Sequence, residues 1–110
     1  MEPACIARLY IGVPGQVDPD ALRDTLEDLV RTSFRGATIL ETRGLWQGES
    51  EDGYMAEVIM SPVRDSCTKL FRRAERLASE IAFAFEQETV LLLTIDANGA
   101  VRQGLVQAAA

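Results

Sequence analysis

The stretch Cys5-Ile6-Ala7-Arg8-Leu9-Tyr10-Ile11-Gly12-Val13 alternates from end to end. Cys5, Ala7, Leu9, Ile11 and Val13 fall on one side, and Ile6, Arg8, Tyr10 and Gly12 on the other. A period of two sustained over this length marks a β-strand with one core-facing side. Pro14 and Gly15 end it. Val90-Leu91-Leu92-Leu93 is the longest apolar run, which suits a strand buried in a sheet and is far too short to span a bilayer. Two such strands need helices to cover them, and the segments between supply two.

Asp18-Pro19-Asp20 is a helix start, with Asp18 placed to cap free N–H groups and Pro19 at a position that needs no donor. Leu22, Leu26, Leu29, Val30 and Ser33 then recur at helical spacing, predicting a helix from Pro19 to Phe34 that stops before Gly36. Ala37 to Gln47 is rich in β-branched and aromatic residues; Thr38, Leu40, Thr42 and Trp46 share one face and Ile39, Glu41, Arg43 and Leu45 the other. Gly48 to Gly53 reads as a polar hairpin turn, and Tyr54 to Met60 as the returning strand. The longest helix is expected from Arg64 to Phe85, with Cys67, Leu70, Phe71, Ala74, Leu77, Ala78, Ile81 and Phe85 as its apolar stripe. The last strong strand runs from Glu88 or Thr89 to Ile95. Asp96 to Ala100 is a turn built on Asn98-Gly99, and Val101 to Val106 returns as a short edge strand weakened by Gly104.

The order β-α-β-β-α-β is that of an α+β ferredoxin-like plait. It places two helices on one face of an antiparallel sheet with spatial order 4-1-3-2, and a short C-terminal hairpin strand is added. The expected organisation is one domain over 1–110, with a core of 5–95, a hairpin extension of 96–107 and a frayed tail of 108–110. The sheet face away from the helices is left apolar and uncovered, which favours a second copy. A homodimer is the expected assembly, with Phe83, Leu92 and Val101 at its interface.

The segments Gly36-Ala37-Thr38-Ile39-Leu40-Glu41-Thr42-Arg43-Gly44-Leu45-Trp46, Glu57, and Phe85-Glu86-Gln87-Glu88-Thr89-Val90-Leu91 carry a resemblance. They are similar to a group of small uncharacterised bacterial, plasmid and phage proteins that share a strand ending in G-x-W, a short acidic insert, and a phrase close to F-x-Q-E-x-V-L. The resemblance spans residues 5 to 95. It implies a ferredoxin-like fold and brings no activity and no catalytic residue.

Composition narrows the chemistry. Seventeen acidic against eleven basic residues among 110 give a net charge of -6, which argues against nucleic acid or an anionic membrane as partner. There is no histidine, so Ser-His-Asp and Cys-His catalysis and histidine-based zinc sites are excluded. Cys5 and Cys67 stand 62 positions apart with no C-x-x-C, and both fall on apolar faces; they read as small buried hydrophobes, not as a redox or metal pair. No leader-like segment is seen at the N-terminus, and the expected place is the cytoplasm.

Glu49, Glu51 and Asp52 cluster at the hairpin tip without the order of a calcium loop and read as solvated, so no metal and no cofactor is expected. Arg43 and Glu57 lie on adjacent strands, with Glu41 on Arg43's face. If they meet, they form a cross-strand ion pair, or a polar spot in an apolar pocket lined by Trp46, Tyr54 and Tyr10. These six residues are the candidate ligand-binding set, and no residue is assigned a catalytic role. The favoured function is a noncatalytic, homodimeric protein-interaction module, associated with a mobile element and extending to an inhibitor of a host complex. The alternative is a small-molecule sensor or enzyme of the dimeric α+β barrel type, with its pocket near Trp46 and Tyr54.

Overall fold

The computed structural model describes residues 4–15, 18–61 and 66–109, with the side chain of Trp46 outside the description. Strand β1 (Cys5–Gly12) is followed by helix α1 (Pro19–Ser33), strands β2 (Thr38–Trp46) and β3 (Glu49–Met60), helix α2 (Cys67–Ala84), and strands β4 (Thr89–Ile95) and β5 (Val101–Gln107). The strands form one antiparallel sheet of order β2-β3-β1-β4-β5. This is an α+β fold, and its strand order is consistent with a ferredoxin-like plait.

The alternation of β1 sets the layers. Cys5, Ala7, Leu9 and Ile11 are buried against the helices, with Tyr54, Ala56, Val58 and Met60 of β3 and Val90, Leu92 and Thr94 of β4 beside them. Helix α1 contributes Leu22, Leu26 and Val30, and α2 contributes Leu70, Ala74, Leu77, Ala78, Ile81 and Ala82. Both helices begin as the sequence suggests or nearly so. The Asp18 carboxylate accepts from the Asp20 N–H at 3.1 Å, and Ser66 caps α2 by accepting from the Lys69 N–H at 3.1 Å. The expected start of α2 at Arg64 lies outside the described residues.

Three expectations are corrected. The hairpin between β2 and β3 has no six-residue polar loop. Gln47 and Gly48 alone make the turn, both at positive φ (51° and 82°), and Glu49, Glu51 and Asp52 are paired strand residues opposite Trp46, Gly44 and Arg43. A two-residue turn with positive φ at both positions follows the right-handed twist of the strands, so pairing continues to the tip. The edge strand expected over Val101–Val106 is present as β5, one residue longer, and in the preceding turn only Gly99 takes positive φ (84°); the Asp96 carboxylate holds that turn by accepting from the Asn98 and Ala100 N–H groups, both at 2.9 Å. The tail is tied down at two of its three residues, since the Ala108 N–H donates to the Glu88 carbonyl at 3.0 Å and the Ala109 N–H to the Ser79 carbonyl at 3.1 Å. Ala110 lies outside the described residues. Finally, Cys5 and Cys67 form a disulfide. The start of β1 and the first residue of α2 lie side by side with Cα atoms 5.9 Å apart, well within bridging range, a proximity that sequence spacing does not reveal.

Candidate functional site

The sheet face turned away from the helices is arranged in rows across the strands. One row reads Ile59, Ile6, Ile95, Val101, and another Leu40, Met55, Tyr10, Leu91, Leu105. Between them lies a row of Thr38, Glu57, Arg8, Leu93 and Gln103. Leu40 (50%), Ile59 (64%), Val101 (60%) and Leu105 (68%) are well exposed for their types. The face is therefore apolar, as the alternation implied, but a charged pair sits within it.

That pair is Arg8 and Glu57. The Arg8 Nε–H donates to Glu57 Oε2 at 2.7 Å, and the two side chains are about one-third and one-fifth exposed (35% and 22%). They are directly opposite in the β1–β3 register. Glu57 holds the Arg8 guanidinium in its charged form above the ordinary arginine pKa, mainly through this hydrogen bond, and the Tyr10 hydroxyl adds to the effect. Partial cover by apolar rows on both sides makes such a pair stiffer than a freely solvated one. The Arg8 guanidinium thus lies between the Glu57 carboxylate and the Tyr10 hydroxyl, on a face that is open to solvent. Next to an aromatic ring and a polarizable Met55 side chain, these are groups that can take a ligand bearing both a cation and an anion.

The anticipated ligand set is divided by the sheet. Tyr10 and Glu57 share the open face and are brought together. Arg43 is not: it stands opposite Asp52, not Glu57, and on the helix side of the sheet. The expected Arg43–Glu57 ion pair is thus corrected by register, and Arg8 is the arginine that Glu57 meets. Glu41 lies opposite Tyr54 and is exposed. Tyr54 is only 2% exposed, and its hydroxyl donates to the Pro19 carbonyl at 2.9 Å, tying β3 to the start of α1. Burial, with Glu41 nearby, pushes the Tyr54 phenol above its usual pKa of 10.0, so the protonated, hydrogen-bonding form is favoured. Tyr54 is a closed structural anchor and lines neither of the two grooves described below; Trp46 closes β2 opposite Glu49.

Of the residues expected at an interface, Val101 lies on the open face and Phe83 is exposed (66%) on α2. Leu92 is corrected: it is 5% exposed in the core, because the alternation of β4 turns Leu91 and Leu93 outward instead. Arg8 was missed. The signal was present in β1, where Arg8 interrupts an apolar side, but its partner depends on the β1–β3 register, a pairing of segments far apart in the chain.

Two grooves lie on the helix side. One, of about 470 Å3, is lined by Arg31, Phe34, Arg35, Met60 and Arg73 among others. The larger, about 760 Å3, runs between α2 and β5. Among the described residues there is no group of three or more His, Cys, Asp or Glu side chains placed to hold a metal, and no helix is long and apolar enough to cross a membrane.

No family model and no curated protein matches the sequence. Solved structures do match the fold. The chain is similar to a phage SAM lyase in complex with S-methyl-5'-thioadenosine, at a TM-score of 0.75 and 19% identity, covering 98% of this chain and 92% of that one. It is also similar to a phage SAM lyase in its apo state, at a TM-score of 0.66 and 20% identity, covering 94% and 89%. The expectation of a noncatalytic interaction module is corrected by these likenesses: from end to end, this is a fold on which an enzyme is built.

Proposed function

We propose that the chain is a small-molecule enzyme that acts on SAM (S-adenosylmethionine), with its site on the open sheet face around Arg8, Glu57 and Tyr10. The observation that carries this reading is the fold likeness to the lyase over 98% of the chain at a TM-score of 0.75. Fold alone is a weak guide to activity; the chemistry of the patch adds to it. S-methyl-5'-thioadenosine is SAM without its aminobutyrate chain. A lyase forming it breaks the bond from sulfur to that chain. Sulfur keeps the electron pair and passes from sulfonium to neutral thioether. The carbon left short of electrons is satisfied by loss of a neighbouring proton or by attack of the substrate's own carboxylate.

Such a reaction asks for an anion near the sulfonium, a donor for the substrate carboxylate, and exclusion of water. The Glu57 carboxylate supplies the first, the Arg8 guanidinium the second, and Tyr10 a ring face for the adenosyl part or the cation. Water exclusion calls for a cover. A second copy of the chain laid on the exposed apolar rows would desolvate the Arg8–Glu57 pair and close the site. Light scattering at micromolar concentration is expected to show an oligomer; a monomer would remove this cover.

The direct test is incubation of the purified protein with SAM and detection of S-methyl-5'-thioadenosine by mass spectrometry. Steady release above the uncatalysed background is expected, and Glu57→Gln should slow it about 100-fold with the far-UV spectrum unchanged. Absence of product together with absence of SAM binding would overturn the reading. Full activity in Glu57→Gln would move the site elsewhere.

A further inference from the structure

The groove between α2 and β5 lies on the opposite side of the sheet from the Arg8–Glu57 patch, and that patch makes no use of it. It is lined by Phe71, Arg72 and Glu75 of α2, by Thr94 of β4, and by Arg102 and Gly104 of β5. Its volume of about 760 Å3 falls within the roughly 300–1,000 Å3 of ordinary small-molecule sites. Three features set it apart from an accidental furrow.

The first is Thr94. It is 8% exposed and is the single polar member of the buried set among the described residues. It lines the groove and offers it a hydroxyl-bearing side chain. The second is Gly104. It sits on the helix side of β5 opposite Leu92, and a Cβ placed on it would find nothing within 4 Å. The space above β5 is therefore open where any side chain would have partly filled it.

The third is charge. Arg72 and Arg102 both line the groove, and neither has an ion-pair partner among the described residues. Asp96 also lines it, but its carboxylate is committed to the N–H groups of Asn98 and Ala100. That leaves two guanidiniums against one uncommitted carboxylate, Glu75, in a protein of net charge -6. The other groove differs here, since Arg31 is spent on Glu27 and Asp28 and Arg73 lies over the Phe34 ring at 5.8 Å.

We infer that the α2–β5 groove is a binding site for a small organic oxyanion with a flat apolar body. The forked donors of Arg72 and Arg102 match a carboxylate or phosphate. Phe71, partly buried against the core, offers a ring face for the body of the ligand, with Thr94 beside it in the lining.

Calorimetric titration with benzoate and with inorganic phosphate tests the site, since one probe carries a ring with its oxyanion and the other does not. Saturable benzoate binding is expected, at least about tenfold tighter than phosphate. Arg72→Ala and Arg102→Ala should each weaken it by about tenfold or more, the loss of a charge-assisted hydrogen bond. Gly104→Val adds bulk where a Cβ meets nothing within 4 Å, and should abolish binding while leaving the melting curve in place. No saturable binding of either probe at 10 mM would overturn the site, with ~10 mM as the ceiling for a useful small-ligand affinity. Binding that is indifferent to all three substitutions would overturn it too. Phosphate bound as tightly as benzoate would overturn the flat apolar body.

Discussion

Replacing Cys5 and Cys67 together by alanine is expected to lower the free energy of unfolding by about 4 kcal/mol. The disulfide closes a loop of 62 residues, which contains α1 and the whole β2–β3 hairpin. Its removal frees the unfolded chain to open that loop, and the chain-entropy cost of closing it again falls on folding. Cys5 is 0% exposed at the start of the central strand, so its neighbours hold the position without the bond, and the folded state should persist in weakened form. Urea unfolding of the oxidised protein, the reduced protein and the double variant gives the comparison. Reduced protein and double variant should agree with each other and fall well below the oxidised protein. Three coincident curves would show that the bridge contributes nothing. The result bears on where the protein can work, because disulfides persist in oxidising surroundings and are kept reduced in most cytosols.

Much of the fold was legible in period alone. The alternation of Cys5–Val13 and the helical spacing of Leu22, Leu26 and Val30 are consequences of burying one face, and a face must be buried whatever the neighbours are. The strand order followed from handedness and short connections. What could not be read was anything fixed by contact between distant segments. The Gln47-Gly48 turn shows this best. Gln47 has no local preference for positive φ, so the polar stretch after it looks like loop; it is strand because β2 and β3 continue to pair to their ends. That turn sets the β2–β3 register, which puts Glu57 opposite Thr38 and Arg43 opposite Asp52, while the separate β1–β3 pairing puts Glu57 opposite Arg8. Tyr10 and Glu57 share the open face with Arg8, whereas Tyr54 lies in the core with its hydroxyl on the Pro19 carbonyl. The disulfide was illegible for the same reason.

Gly53→Ala is expected to cost about 3 kcal/mol, the upper end for adding a single methyl group to a packed site. Gly53 faces Gly12 across the β1–β3 pair and Thr42 across the β2–β3 pair, and it is buried. Its φ is not the issue. A Cβ there would run into the carbonyl oxygen of Ile11 and lie 3.0 Å from Thr42 Oγ1. Ile11 cannot retreat, because β1 is the central strand, paired to β3 on one side and to β4 on the other. The Thr42 hydroxyl can turn away; the Ile11 carbonyl can move only with its strand, and β1 carries Arg8 and Tyr10. Gly12→Ala differs in kind. Its Cβ would meet the carboxylate of Glu51, the far end of an exposed side chain free to swing aside, so a loss of about 1 kcal/mol is expected. Gly104→Ala meets nothing within 4 Å and should be neutral or stabilising by roughly 0.5 kcal/mol, since alanine gives up less backbone freedom on folding. Urea midpoints of the three variants should therefore rank Gly53→Ala well below Gly12→Ala, and that below Gly104→Ala. A Gly53 variant as stable as the Gly104 variant would mean that the central strands can part without penalty, and the fixed Arg8–Glu57 geometry, with the site built on it, would fall with that finding.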